Sequence, residues 1–306
     1  MTEDAFLASL FARLPAAPAA LAVPPGDDCA AIDLGDGRWL LIAVDQVVGD
    51  RHYVQSGPLA TPPELAGRKV LARNLSDIAA MGGTPTYCLV SGAFGPSCDE
   101  DWIQRFYQGI LDLAGRHRVA MIGGDLAVTP ADTVVSLTIL GEIGAGQAVR
   151  RAGAVPGDEF WATGVFGDSF PTGYHLSFEP RCHEGSWLAA NGCVHAMMDV
   201  SDGLLLDATR MCRSSGLTLC LDTASIPRRL PGTSLRAALS DGEDYELIMA
   251  VPPDQASVLA RRWPFATPLT RLGRFVAGAP GVCAADGRPL GEAGYDHFAR
   301  RPGGCP

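Results

Sequence analysis

A single lysine, Lys69, occurs among the 306 residues. That scarcity excludes two common ways of gripping nucleotide phosphates. No GxxxxGK[ST] run exists, so a P-loop is absent. Lys69 itself lies in the helix-like run PELAGRKVLARNLSDIAAMG and not on a strand, where a protein-kinase lysine would stand. The nine cysteines are odd in number and contain no CxxC pair, which argues against a disulfide framework. No apolar run approaches the roughly 20 residues of a membrane span. The opening MTEDAFLASLFARL lacks the basic start and long apolar core of a secretory signal, so a cytoplasmic location is expected. Basic residues are few and scattered, and the formal charge is −10. A chain of that sign repels nucleic acid and anionic membranes, and neither is expected as a partner.

What the chain has instead is glycine beside carboxylate. Asp27 and Asp28 follow Gly26, and Asp77 stands in NLSDIAAMG ahead of Gly82 and Gly83. Asp125 follows Gly123-Gly124, Asp199 and Asp202 bracket Ser201, and Glu243 and Asp244 follow Gly242. Carboxylates on glycine-rich loops, with few cations nearby, suit hard divalent metals better than bare phosphate. An acidic enzyme can still hold ATP when Mg2+ bridges carboxylate to phosphate. The pattern therefore predicts a metal-nucleotide enzyme that grips phosphate with Mg2+, arginine and backbone N–H groups.

Each such aspartate also has a plainer reading, because Asp caps helices and starts turns. Asp158 and Asp168 read as turn residues. Asp202 reads both as a metal ligand and as the cap of a helix over 203–213. Asp244 and Tyr245 read as supports for Glu243. Cys182-His183 and Cys193-x-His195 are spaced too widely for a zinc set without a CxxC.

At 47% hydrophobic and 19% charged residues, the chain is globular and long enough for two domains. Residues 38–48 read as a strand ending near Asp45, 63–81 as a helix, 85–94 as a strand, 99–117 as an amphipathic helix, and RVAMIGG and 133–143 as strands. Glycine and proline cluster over 144–157 and mark a boundary. Beyond it, DEFWATG, LTLCLD and DYELIMAV read as strands, and SDGLLLDATRMCRSSG and 253–263 as helices. The expected fold is α/β (α+β) in two domains, 1–148 and 149–306.

Taken in order, GDDCA (26–30), VDQVVGDRHY (44–53), NLSDIAAMGGTP (74–85), IGGD (122–125), RAGAVPGD (151–158), TGVFGDS (163–169), DVSDGL (199–204), DGEDYEL (241–247) and GYDHF (294–298) span nearly the whole chain. This set resembles the thiamine-monophosphate kinases of the aminoimidazole-ribonucleotide-synthetase-like superfamily. The resemblance implies an N-terminal α/β domain that dimerises through its sheet and a C-terminal α/β domain that completes the site. It implies transfer of the γ-phosphoryl group of ATP onto the phosphate of thiamine monophosphate. It makes Asp28, Asp45, Asp77, Asp125, Asp199 and Asp202 candidate Mg2+ ligands. Asp125, Arg151 and Ser201 would contact ATP, and His52 and Glu243 would face the thiamine phosphate. A phosphate acceptor is already ionised near neutral pH, so no general base is assigned.

The chain also departs from that pattern. Ala43 and Val44 precede Asp45 where the family usually has Ser-Thr, Leu126 follows GGD in place of Thr, and the stretch after GDS is short. Glu292 or Ala293 falls where an aromatic ring usually meets thiamine, and Glu292 would substitute by charge. A kinase of the same fold with another small acceptor, or a non-catalytic nucleotide-binding relative, are the alternatives these departures raise.

Overall fold

The computed structural model describes residues 2–295. The first half contains α1 (Glu3–Phe11), β1 (Leu21–Val23), β2 (Ala30–Asp33), β3 (Arg38–Val48), α2 (Pro63–Ala80), β4 (Thr84–Phe94), α3 (Glu100–His117), β5 (Ala120–Val128) and β6 (Val134–Gly144). The second contains β7 (Glu159–Thr163), α4 (Tyr174–Ser177), α5 (Cys182–Asn191), β8 (Ala196–Asp199), α6 (Leu204–Ser215) and β9 (Thr218–Leu221). It continues with α7 (Leu235–Ser240), β10 (Leu247–Val251), α8 (Pro253–Arg262), β11 (Leu269–Val276) and β12 (Gly281–Ala284). The strands form two six-stranded mixed sheets, ordered β1-β2-β3-β6-β4-β5 and β12-β9-β11-β7-β10-β8. The chain thus has two α/β units, as expected, with no strand or helix between Gly144 and Glu159.

Alternation along β3 sends Leu41, Ala43, Asp45 and Val47 inward, toward the face that α2 covers. Helix α2 is buried along most of its length because it serves both halves. On one side it meets β3, β6 and α3; on the other it meets α4, α5 and β8. The second contact is close: a Cβ on Gly185 of α5 would lie 2.1 Å from the carbonyl oxygen of Ala79. Only glycine lets those two backbones approach so near. The central helix is therefore fixed against both sheets, and whatever it presents is held rigidly.

Regular elements carry several of the predicted site residues, in keeping with the strand expected over 38–48 and the helix expected over 63–81. Asp45 lies inside β3, which runs on to Val48, and Asp77 lies inside α2. Asp125 lies in β5 opposite Ser91 of β4. Gly124 there is not a loop residue; its missing Cβ would sit 1.8 Å from the carbonyl oxygen of Val90, so glycine is required by strand proximity. The expected cap role of Asp202 is also absent. Helix α6 starts after Gly203 without a side-chain cap. Asp207, from within the helix, accepts the N–H groups of Asp202 and Gly203 at 3.0 and 3.2 Å instead. DYELIMAV is a strand only from Leu247.

Candidate active site

Three carboxylates converge where the two halves meet. Ligand oxygens of Asp28, Asp77 and Asp199 all lie within 4.8 Å of one another. Asp28 comes from the loop before β2, Asp77 from the last turns of α2, and Asp199 from the end of β8. Arg151 holds Asp28 through its guanidinium at 2.6 Å, and its backbone N–H donates to Asp27 at 3.1 Å. Ser76 donates to Asp199 at 2.6 Å. That bond orients the Asp199 carboxylate.

Burial and mutual repulsion strain this group electrostatically. Burial, then Asp199, Asp45 and Asp28, push the pKa of Asp77 well above the ordinary value. Burial and then Asp28 do the same to Asp199. Asp27 is raised to about 6 by burial and by Asp28. The side chain of Asp28 is fully buried, and its Oδ2 has no hydrogen-bond partner among the described residues. An orphaned carboxylate oxygen beside two others at this spacing fits a hard divalent cation with oxygen ligands.

The other three predicted metal ligands are not members of this cluster. Asp45 borders it, but its carboxylate is held by both Nε and Nη2 of Arg73, at 2.6 and 2.9 Å. Asp202 is paired with Arg210 at 2.6 Å. Asp125 lies on the exposed edge strand β5.

Next to the cluster is a cavity of about 300 Å3, with His52, Arg73, Phe170, Asp202, Glu243 and Tyr295 among its lining residues. Ser201 lines it as well. At its base sits the chain's only lysine, fully buried. Lys69 Nζ donates to the carbonyl of His52 at 2.6 Å, to Nδ1 of His175 at 2.8 Å, and to Glu243. All three ammonium donors are thereby used. Burial lowers the Lys69 pKa to about 8 although Glu243 pulls it back up. Burial would raise Glu243, but Lys69, His175 and Arg73 overcome it and hold the carboxyl at about 2. The ring of His175 stacks on Phe170 at 4.1 Å between centroids, so Lys69 supports a cavity wall through it.

His52 is turned by its own loop: Nδ1 accepts the N–H of Val48 at 2.9 Å, which fixes that nitrogen as unprotonated. Burial and Arg73 lower its pKa to about 4, so the ring is neutral at physiological pH. Glu243 sits at a positive φ of 56°. Its neighbours hold it there: Asp244 accepts the N–H of Gly167 and an Arg229 donor at 2.7 Å, and Tyr245 stacks on Phe178 at 4.1 Å. Glu292 lies outside the cavity, 55% exposed and paired with Arg213. Phe170 and Tyr295 give the cavity its aromatic walls, together with Tyr245. Asp296, His297 and Phe298 of the last motif lie outside the described residues.

Sequence reading missed Lys69, Arg73 and His175. A signal existed for two of them. Lys69, Arg73 and Asp77 recur at four-residue spacing, which places them along one face of α2. Two cations and a carboxylate in line on a helix rich in Ala and Leu mark the face that meets the site.

Comparison with known proteins accords with this geometry. Residues 26–143 match the family AIR synthase related protein, N-terminal domain, and residues 132–282 match its C-terminal domain. The thiamine-monophosphate kinase of Escherichia coli K12 is 32% identical over 97% of this chain and 98% of that protein. That of Rhodopirellula baltica is 36% identical over 90% and 89%. The crystal structure of thiamine-monophosphate kinase from Stenotrophomonas maltophilia K279a is 31% identical and superposes with a TM-score of 0.73 over 94% and 96% of the two chains. The fold is also that of AaThiL complexed with AMPPCP and TMP, with a TM-score of 0.83 at 24% identity over 97% of each chain. The chain belongs to the thiamine-monophosphate kinases, within the AIR-synthase-related proteins.

Proposed function

We propose that the protein transfers the γ-phosphoryl group of ATP to thiamine monophosphate, giving thiamine diphosphate and ADP. The observation that carries this reading is the Asp28–Asp77–Asp199 cluster beside a cavity with both cationic and aromatic walls. Phosphoryl transfer asks the protein for alignment and charge neutralisation more than for covalent work. Two anionic substrates must approach one another, and Mg2+ held by Asp28, Asp77 and Asp199 would cancel that repulsion. Arg151 orients Asp28 and stands beside the ATP side of the site. Asp45 and Asp202, each now paired with arginine, are carboxylates available to further ions. Glu243 and the rings of Phe170 and Tyr295 suit the cationic thiazolium of thiamine, which a carboxylate and aromatic faces stabilise. The test is incubation of the purified protein with ATP, Mg2+ and thiamine monophosphate. Stoichiometric thiamine diphosphate and ADP are expected; ATP binding without diphosphate would move the assignment to another acceptor.

The working unit in this reading is a homodimer joined through the first sheet. Strand β5 is exposed over its whole length and ends the sheet, carrying Met121, Ile122, Leu126 and Val128. Tyr87 and Leu89 are exposed on the adjacent β4, and Val44 on β3 of the same sheet. Exposed apolar residues on an unpaired edge call for a cover. Asp125 then lies at the subunit boundary, which accounts for its distance from the cluster. Light scattering should give twice the 32.1 kDa chain mass; a monomer at assay concentration would reject the dimer. The cytoplasm is the proposed compartment, in keeping with eight free cysteines among the described residues. No described helix is long and apolar enough to cross a membrane.

A further inference from the structure

Two cations of α2 stand at this cavity, Arg73 in its lining and Lys69 buried behind His52 and Glu243, and they differ in what they have left to give. Lys69 has spent its three donors on His52, His175 and Glu243. Arg73, one turn further on, has not. Its Nε and Nη2 are engaged by Asp45. Its Nη1 lies 3.6 Å from Glu243, beyond hydrogen-bond distance, and makes no hydrogen bond among the described residues. The side chain is only 11% exposed, and it lines both this cavity and the hollow beside Asp45 and Gln46. A nearly buried guanidinium with unspent donors beside a cavity is a costly arrangement unless an anion completes it.

We propose that Arg73 is the residue that binds the phosphate of the acceptor, held in place by Asp45 until the site is loaded. The inference rests on the kinase reading above and specifies the acceptor side of that site. Helix geometry supports it, because Arg73 and Asp77 are four residues, or about 6 Å of rise, apart on one face of α2. A phosphate near an ion on Asp77 is therefore within reach of Arg73. Charge supports it too. Lys69, Arg73, Asp45 and Glu243 sum to zero, so a phosphate alone would be repelled by the two carboxylates. A cation at the cluster compensates Asp45 and leaves the guanidinium charge to the acceptor. Acceptor binding should accordingly be tighter with Mg2+ than without it.

The planar fork of arginine suits a phosphate, and lysine reproduces only part of it. Binding of thiamine monophosphate and of unphosphorylated thiamine is measured by calorimetry with Mg2+ and without ATP. In Arg73→Met, thiamine monophosphate should bind about tenfold or more weakly, as loss of a charge-assisted contact requires. Thiamine should bind within about twofold of wild type, because it lacks the group Arg73 grips. Arg73→Lys should recover part of the loss, and the KM for ATP should hold within about twofold. Equal weakening toward both ligands would show a packing role and overturn the proposal, as would no weakening toward either. Failure of the wild-type protein to form thiamine diphosphate would reject the kinase reading instead, and the paired binding comparison would still decide whether Arg73 contacts phosphate.

Discussion

Asp77→Asn is expected to lower turnover by at least about 10²–10³-fold, the scale set by losing one electrostatic element of a preorganised site, while making the metal-free protein more stable. The two effects share one cause. Asp77 is forced beside Asp199, Asp45 and Asp28 in a buried place, which raises its pKa well above the ordinary carboxylate value. An amide of the same shape removes that repulsion and also removes a ligand. Mg2+ should raise the melting temperature of the wild type, since binding to the native state alone stabilises it. It should do so far less in the variant. The pH dependence follows with a definite sign. Asp27, raised from 3.8 to about 6, and Asp77 and Asp199, also raised well above 3.8, bind protons in the folded state that the unfolded chain has released. Their contribution is fully present below pH 3.8 and lost as pH rises through the raised folded values, about 6 for Asp27. The metal-free wild type should therefore melt higher near pH 5 than near pH 8, with the difference reduced in Asp77→Asn. Unchanged turnover in the variant would remove Asp77 from the metal site. A lower melting temperature without metal would show that repulsion does not dominate there.

The sequence made the identity of this site more legible than its geometry. Glycine-flanked aspartates at ordered positions announced a metal-nucleotide fold, and the strand and helix periods of β3, α2, β4, α3 and β6 were readable because each is long and strongly patterned. The short strands β1 and β12, by contrast, have three or four residues and no usable period. Which carboxylates meet was hidden because convergence depends on tertiary contacts between a loop, a helix and a strand end. Asp28, Asp77 and Asp199 come together, whereas Asp45 and Asp202 find arginines first. Ahead of Asp125 the glycine answers to close strand packing as well, a demand that sequence spelling does not reveal. Lys69 drew notice for its rarity and was then set aside, because a lysine inside a helix carries no motif. Its role comes from partners 106 and 174 residues away in the chain.

That lysine sets the second large effect. Lys69→Met is expected to cost about 3–5 kcal/mol of folding stability, the usual penalty for removing one partner of a buried ion pair. Lys69 is fully buried, and methionine can make none of its three hydrogen bonds. Without it Glu243 would be a buried carboxylate held at a positive φ, with His175 at 3.5 Å and Arg73 at 3.6 Å and no lysine to neutralise it. The wild-type pH response locates the loss. Glu243 has its pKa depressed from 4.5 to about 2, so its stabilisation is present above pH 4.5 and disappears as pH falls toward 2. Lys69→Met should flatten that acid limb in urea titrations. Lys69→Met combined with Glu243→Gln should recover a substantial part of the loss, because both ends of the charged pair are then gone. Kinetics separate structure from function here. His175 leans on Lys69 and Phe170 leans on His175, so the damage falls on the acceptor wall and not on Asp28 and Arg151. At a temperature where the variant is folded, the KM for thiamine monophosphate should rise more than the KM for ATP. A stability loss below about 1 kcal/mol would place Lys69 among ordinary surface ion pairs in energetic terms, and equal changes in both KM values would detach it from the acceptor side.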